Sequence, residues 1–280
     1  MCAALLCGAG GALADPGSRL LATGGITNIE GAAGGGIVPW AVLSGYGTRD
    51  EWGGDVFATR VDTGDYRLDT FGASLALNNR LEFSVARQRL DMDALTKAAG
   101  LPHKSLNQDI YGMKVRLFGD LVYDRLPQVT AGAQYKRQTN FLIPSLVGAR
   151  RDSDTDYYLA GSRLFLGAVG GYNLLVNGTL RYSRANETGL LGFGGDRRDS
   201  RSLLKEGSVA LLLSPQWVVG YEYREKPDNL SFAGESDWQD LFVGYFPSKR
   251  LALAAAWAEL GEVATLEGQR GLFLSMQLSY

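Results

Sequence analysis

The chain has 280 residues, of which 45% are hydrophobic and 21% are charged, and its net charge is −2. Beyond residue 14, no apolar run approaches the roughly 20 residues that a membrane-spanning helix needs, which excludes a helical membrane protein. The small net charge supplies no long-range field that would attract nucleic acid, so we expect no nucleic-acid partner.

The chain begins with a short apolar segment, Met1 to Ala14, that ends in the sequence ALA and is followed by an Asp-Pro pair. This small-x-small ending is typical of a secretory signal peptide, although the usual positive charges at its start are missing. We predict cleavage after Ala14 and a mature domain over residues 15–280. Both cysteines, Cys2 and Cys7, precede this point, so the mature chain would carry no disulfide.

A glycine-rich stretch follows, Gly31 to Gly36, interrupted by two alanines. A phosphate-binding loop would need a following Lys and Ser/Thr, or a helix, whereas Ile37 leads into a strand pattern. We interpret the glycines as structural, in an inward-folded stretch or a tight barrel corner. The flanking segments Leu20 to Glu30 and Ile37 to Tyr46 are candidate strands.

Downstream, apolar and polar residues alternate in segments of about ten residues, the spacing of strands tilted across a bilayer. Leu81, Phe83 and Val85, for example, alternate with Glu82 and Ser84. In a soluble sandwich the apolar side would form a core, whereas in a membrane barrel it faces lipid and the polar side faces the lumen. The candidate lumen-lining residues are Glu82, Lys114, Arg116, Lys136, Arg181, Glu222 and Arg224.

These seven side chains carry an excess of positive charge, and isolated charges are costly outside water. In an open lumen they would form a weakly anion-favouring lining, and in a closed lumen they would form a structural network. The sequence leaves both alternatives open.

The last segment, Gly271 to Tyr280, has the clearest alternation and stops on an aromatic residue. This ending is similar to the C-terminal strand of bacterial outer-membrane proteins, which the barrel-assembly machinery recognises. The candidate assembly signal comprises Leu274, Met276, Leu278 and Tyr280.

The links between strands alternate in length, as in outer-membrane barrels with short periplasmic turns and longer external loops. Short or medium links are predicted at Asn78-Asn79, Gly119 to Pro127, Gly167 to Gly170, Ser214-Pro215 and Pro247 to Lys249. Longer links are predicted at Asp91 to Asn107, Thr139 to Ser153, Ala185 to Ser200, Pro227 to Ser236 and Gly261 to Gly268. With a periplasmic C-terminus, the strand count is about fourteen if both N-terminal segments belong to the wall, and about twelve if they do not.

Aromatic residues near the predicted strand ends favour a membrane barrel over its main competitor, a soluble periplasmic β-sandwich, because they would form interfacial girdles. The aromatic residues concerned are Trp40, Tyr46, Trp52, Tyr66, Tyr123, Trp217, Trp238 and Trp257. Taken with the C-terminal ending and the signal peptide, they predict an all-β fold, a transmembrane antiparallel β-barrel with a glycine-rich N-terminal segment.

Several stretches resemble an uncharacterised proteobacterial family of predicted outer-membrane proteins, the domain-of-unknown-function family 3034. The resemblance covers nearly the whole mature chain and begins with LLATGGITNIEGAAGGGIVPW at Leu20 to Trp40. It continues with LEFSVARQRLD at Leu81 to Asp91, LLGFGGDRRD at Leu190 to Asp199 and QRGLFLSMQLSY at the C-terminus. The resemblance implies location and fold, and it carries over no catalytic residue, ligand or solute.

Residues suited to catalysis or metal binding are scarce. The single histidine, His103, lies in a predicted long link without a nucleophile motif, and hydrolases or acyltransferases of the membrane generally need a paired histidine. Acidic residues of predicted external loops, such as Asp154 and Asp156, lie among arginines and are expected to form salt bridges rather than a calcium site. We therefore predict no catalytic residues, no cofactor and no metal.

These observations predict a porin-like channel in the outer membrane of a Gram-negative bacterium, for passive passage of small solutes. Two alternatives stay open: a closed structural or interaction barrel, and a plugged channel for hydrophobic compounds. An apolar pocket near Leu20 to Trp40 would favour the last. The expected partners are outer-membrane lipid, lipopolysaccharide and the barrel-assembly machinery.

Overall fold

The computed structural model describes residues 19–92 and 104–280. The predicted signal peptide, its cleavage site and His103 lie outside the described residues. Within the described ranges, no helix has the length and hydropathy needed to cross a membrane.

Twelve antiparallel strands form a closed barrel, β3 to β14. Their bounds are β3 Trp52–Asp62, β4 Arg67–Leu77, β5 Leu81–Asp91, β6 Ser105–Phe118, β7 Gln128–Gln138, β8 Ser153–Val169, β9 Tyr172–Ser183, β10 Ser202–Leu212, β11 Trp217–Arg224, β12 Trp238–Ser248, β13 Leu251–Val263 and β14 Leu266–Ser279. A short helix, α1 (Leu142–Leu146), lies in the link between β7 and β8.

The barrel closes between its last and first strands. β14 pairs with β3 from Leu272↔Asp62 to Ser279↔Asp55, and Tyr280 exchanges two backbone hydrogen bonds with Gly54. Because every strand edge is paired, the wall needs no residue before Trp52 to close.

Alternation of side chains gives the wall two faces. Outward residues such as Phe83, Met113 and Leu274 are 43–48% exposed, whereas inward neighbours such as Glu82 and Lys114 are 1% exposed. This arrangement is inside-out relative to a soluble sandwich, with polar residues concentrated inside and an apolar outer surface.

The two ends of the barrel differ in their links. The turn end carries residues 78–80, 119–127, 170–171, 213–216 and 249–250, together with Tyr280. Among the described residues, the loop end carries residues 63–66, 92, 104, 139–152, 184–201, 225–237 and 264–265. The predicted long link Gly261 to Gly268 is wrong: β13 and β14 are joined by Ala264 and Thr265, whose φ values of 45° and 81° make a tight hairpin.

The N-terminal segment does not join the wall. Residues 22–47 are all buried, and they lie inside the barrel with only a two-residue hairpin, β1 (Ile26–Thr27) and β2 (Ala33–Gly34). The count of about fourteen wall strands is therefore wrong, and the alternative of twelve is confirmed. The strands predicted at Leu20 to Glu30 and Ile37 to Tyr46 are also wrong, since their apolar residues pack in the lumen and not against lipid.

The aromatic residues divide in the same way. Trp52, Tyr123, Trp217 and Trp257 are exposed on the outer surface or at its turn end. The other four predicted girdle residues, Trp40, Tyr46, Tyr66 and Trp238, are 3–5% exposed because they lie in the interior.

Candidate functional site: the plugged lumen

The lumen is filled by residues 22–47, which we call the plug. Gln277 of β14 accepts a hydrogen bond of 2.6 Å from the backbone nitrogen of Thr27, and Ser162 of β8 accepts one of 2.8 Å from that of Ala41. Because β14 and β8 are six strands apart in the twelve-stranded wall, these contacts lie on opposite sides of the barrel. The plug therefore spans the lumen.

The plug turns at residues 28–32 through a compact polar loop. The Asn28 side-chain oxygen accepts hydrogen bonds of 3.0 Å from the backbone nitrogens of both Glu30 and Ala32. Gly31 has a φ of 91°, which favours glycine. This turn directs the Glu30 side chain toward the wall.

Glu30 is the centre of a buried ionic network. Its carboxylate lies 2.8 Å from Arg224 and 3.3 Å from Arg181, and it also contacts Lys136. The wall supplies two acids to the same cluster: Asp156, 2.7 Å from Lys136, and Glu206, which contacts Arg181 and lies 3.5 Å from Arg224. Three cations thus face three anions, of which one belongs to the plug.

A second anchor lies between β5 and β6. The Lys114 ammonium donates hydrogen bonds of 2.9 and 2.8 Å to the plug carbonyls of Ala33 and Val42, and it lies 3.3 Å from Glu82. Glu82 in turn accepts hydrogen bonds from the backbone nitrogens of Ala33 and Ser44. The Lys114–Glu82 pair therefore binds both carbonyl and N–H groups of the plug backbone.

A third anchor is Glu222 of β11, which accepts hydrogen bonds from the backbone nitrogen of Ile37 at 2.9 Å and from the Trp40 indole at 3.2 Å. The glycines beside it make this approach possible. A Cβ on Gly35 would lie 2.0 Å from a Glu222 carboxylate oxygen, so a larger residue would displace either this carboxylate or the plug. The interpretation of the glycine run as an inward-folded stretch agrees with this packing.

The seven side chains proposed to line the lumen occupy two places. Six of them lie in the anchors just described: Glu82, Lys114, Lys136, Arg181, Glu222 and Arg224. Arg116 lies apart, partly exposed at the turn end, where it donates to the Gly119 carbonyl and contacts Asp120 at 3.1 Å.

Sequence reasoning missed Glu30 and four inward acids of the wall: Asp55, Asp156, Glu206 and Asp240. The prediction that Asp156 lies in an external loop is wrong, because β8 starts at Ser153 and turns Asp156 inward. Within the described strands, the buried charged side chains comprise six acids and four bases. The expected excess of positive charge inside the wall is therefore wrong. Applying the same alternation to β3, β8, β10 and β12 would have found the four wall acids.

The other side of the lumen is apolar. Ala252, Ala254, Ala256 and Ala258 of β13 all point inward, and Phe273 of β14 packs near the plug glycine Gly36. Two enclosed apolar spaces of about 20 and about 40 Å³ border the plug on this side. Each is near the smallest size that holds a water molecule.

The loop end is covered by parts of its own links. Residues 185–195 are buried over the plug, and Glu187 contacts Lys226 at 2.7 Å. Lys226 also lies 3.4 Å from Glu235 and 4.9 Å from the ring centre of Trp238. We call this arrangement the loop-end cap. Outside it, Asp154 contacts both Arg184 and Arg201, in line with the predicted salt bridging of the loops.

The C-terminal strand presents its apolar residues outward. Leu274, Met276 and Leu278 are 47–50% exposed, and the Tyr280 ring lies 4.6 Å from that of Trp52. Within the described residues, no group of His, Cys, Asp and Glu side chains has the arrangement of a metal site.

The model of a family described as a protein of unknown function, DUF3034, matches residues 23–277. No curated protein matches the chain by sequence.

Among solved structures, the KdgM porin aligns with a TM-score of 0.50 at 11% identity, covering 81% of this chain and 99% of the porin. The NanC porin aligns with a TM-score of 0.49 at 11% identity, covering 81% and 98%. Omp33 of Acinetobacter baumannii aligns with a TM-score of 0.46 at 11% identity, covering 82% and 97%. At this identity, the likeness to the KdgM porin shows a shared fold alone.

Proposed function

The chain belongs to the DUF3034 family, and we propose that it is a porin-like outer-membrane channel that its N-terminal plug holds closed. Small solutes pass when the plug is displaced. In this proposal the turn end lies in the periplasm and the longer links face outward, as in other barrels of the outer membrane.

The observation that carries the proposal is the way in which the plug is held. The wall closes through the β14–β3 ladder without the plug, and the plug is bound to the wall mainly by side chains such as Glu82, Lys114 and Glu222. Buried hydrogen bonds of this kind can be exchanged for hydrogen bonds to water once the plug moves. Displacement therefore leaves the barrel wall intact.

The apolar side of the lumen favours a second candidate, a plugged channel for hydrophobic compounds. Phe273 and the inward alanines of β13 form an apolar surface next to the plug, with two small, mostly apolar spaces beside it. An apolar solute could pass along this apolar surface while the ionic network around Glu30 stays intact. The two candidates share the closed state and differ in the solute.

The C-terminal residues Leu274, Met276, Leu278 and Tyr280 remain our proposal for the segment that the barrel-assembly machinery recognises. Their strand closes the wall by pairing with β3. A signal peptide over residues 1–14 remains a prediction.

The test is conductance in a planar bilayer, with the full mature chain compared with a variant that lacks residues 22–47. We expect the full chain to be closed most of the time and the variant to conduct steadily. Because six acids and four bases then line the wall, the variant should prefer cations mildly. A conducting full chain with the same current as the variant would contradict the proposal.

Solute class is read from uptake into liposomes that contain the deletion variant. Faster uptake of small hydrophilic solutes supports the porin-like candidate, whereas selective uptake of an apolar dye supports the second. A variant that conducts, together with a full chain that never opens, would indicate a closed structural barrel.

A further inference from the structure

The outer surface near the loop end carries a patch of arginines on β5 and β7. Arg87, Arg89 and Arg137 all point outward and are exposed. Asp109 of β6 lies between Arg87 and Arg137 in the ladder and pairs with Arg87 through contacts of 2.6 and 2.9 Å. We call these three arginines the arginine belt.

Two members of the belt lack an anionic partner. Arg89 lies opposite Asp69 of β4, but the Asp69 carboxylate is bound by Arg60 at 2.6 Å. Arg137 lies opposite Asp109, which already forms a salt bridge with Arg87. Within the part of the chain that the structure describes, Arg89 and Arg137 form no ion pair. The surface therefore presents two free positive charges, one on either side of β6.

The belt borders the apolar band. Val85, Tyr111 and Tyr135 lie on the same strands as Arg87, Asp109 and Arg137, two residues nearer the turn end. The two tyrosine rings stack with their centres 6.4 Å apart. Tyrosines at this level are typical of the membrane interface, where lipid headgroups meet acyl chains. Arg87 and Arg137 lie two residues farther toward the loop end, about 7 Å along their strands, and Arg89 lies about another 7 Å along β5, which suits the level of the headgroups.

Below the belt, β7 has small outward residues. Ala131 and Ala133 lie between Met113 of β6 and the larger residues Tyr157 and Leu159 of β8. The surface is therefore furrowed along β7, in line with Arg137. An acyl chain fits such a furrow, because it would contact side chains on both sides.

We propose that the arginine belt binds the phosphorylated disaccharide headgroup of lipid A in the outer leaflet, with one acyl chain along β7. A guanidinium binds phosphate through two parallel hydrogen bonds, which an ammonium cannot reproduce. Arg89 and Arg137 lie two strands apart and are offset by two residues along the strand, about 12 Å in all, a separation that suits a wide headgroup with a phosphate at each end. A closed barrel would bind the same lipid, so this proposal goes beyond the channel and does not depend on plug movement.

The experiment measures binding of diphosphorylated lipid A to the folded full mature chain in detergent, by native mass spectrometry and by the shift in melting temperature. The variant is Arg89→Gln with Arg137→Gln. The control is Arg150→Gln with Arg198→Gln, which removes the same charge from two exposed loop arginines. Dephosphorylated lipid A and phosphatidylglycerol serve as competing lipids.

We expect the belt variant to bind diphosphorylated lipid A about tenfold more weakly or worse, and the control to bind it normally. Wild-type protein should prefer diphosphorylated lipid A to both other lipids. Unchanged binding by the belt variant, an equal loss in the control, or equal binding of the dephosphorylated lipid by the wild type would each overturn the proposal. Equal binding of phosphatidylglycerol would show a general anionic-lipid surface instead and would overturn it as well.

Discussion

Glu30 completes the charge balance of the buried ionic network in the lumen. It is fully buried and shares three wall cations with Asp156 and Glu206. If the plug leaves, three cations face two acids, and water must replace the missing carboxylate. Removing one member of a buried ionic cluster is costly because its partners are left as uncompensated charges in a low-dielectric interior. Plug displacement is therefore opposed by a defined electrostatic term.

Replacing Glu30 with Gln tests this term directly. The amide keeps the shape but not the charge, and we expect the closed state to lose about 3 kcal/mol or more. The melting temperature should fall, and channel openings should become more frequent in a planar bilayer. Glu267→Gln, at an exposed position of β14, is the control and should behave like the wild type. A Glu30→Gln protein as stable and as silent as the control would show that the network does not hold the plug.

At the scale of elements, the loop-end cap joins two links through Glu187, Lys226 and Glu235. Burial, the largest cause, and the nearby Glu187 together raise the pKa of Glu235 to about 8 against the opposing charge of Lys226. Burial also raises the pKa of Glu187, again against the charge of Lys226. Two carboxyls share one ammonium, so one carboxyl favours its protonated form.

The cap should therefore loosen as the pH rises. Both folded-state pKa values lie above the value of about 4.3 for an unfolded glutamate, so stability is fully present below that pH and is lost as the pH rises through about 8. Hydrogen exchange of residues 184–201 and 225–237, corrected for the intrinsic rate, should show protection falling between about pH 5.5 and 8.5. Glu235→Gln should weaken this dependence, and Glu267→Gln should preserve it. Constant protection in the wild type would contradict the account.

The elements also show what a sequence pattern can predict. Alternation identified the wall strands and their faces, because the outward face of each strand is apolar and the inward face is largely polar. It failed for residues 20–46, whose apolar residues are buried in the lumen. Alternation reports burial on one face and does not distinguish lipid from a protein interior. The glycine run Gly31 to Gly36 indicated this difference. A wall strand lined by polar side chains does not need so many residues without a Cβ.

At the scale of the whole molecule, the interior is divided between a charged side and an apolar side. The ionic anchors of the plug lie on strands β5 to β11, while the alanines of β13 and Phe273 form the apolar side. Six members of the charged set could be predicted from alternation. Glu30 could not, because its role depends on where the plug lies, whereas Asp156, Glu206 and Asp240 follow once the alternation is applied to β8, β10 and β12.

The central claim is that the plug closes the lumen and must move for solute to pass. The most direct test uses Ala41→Cys with Ser162→Cys, neighbours across the plug–wall contact, in a mature chain that has no other cysteine after residue 14. Planar-bilayer current is recorded from the oxidised protein and then from the same membrane after reductant is added; each single-cysteine variant is the control. We predict that the disulfide abolishes openings and that reduction restores them. Equal current before and after reduction, with the disulfide verified by mass spectrometry, would contradict the claim.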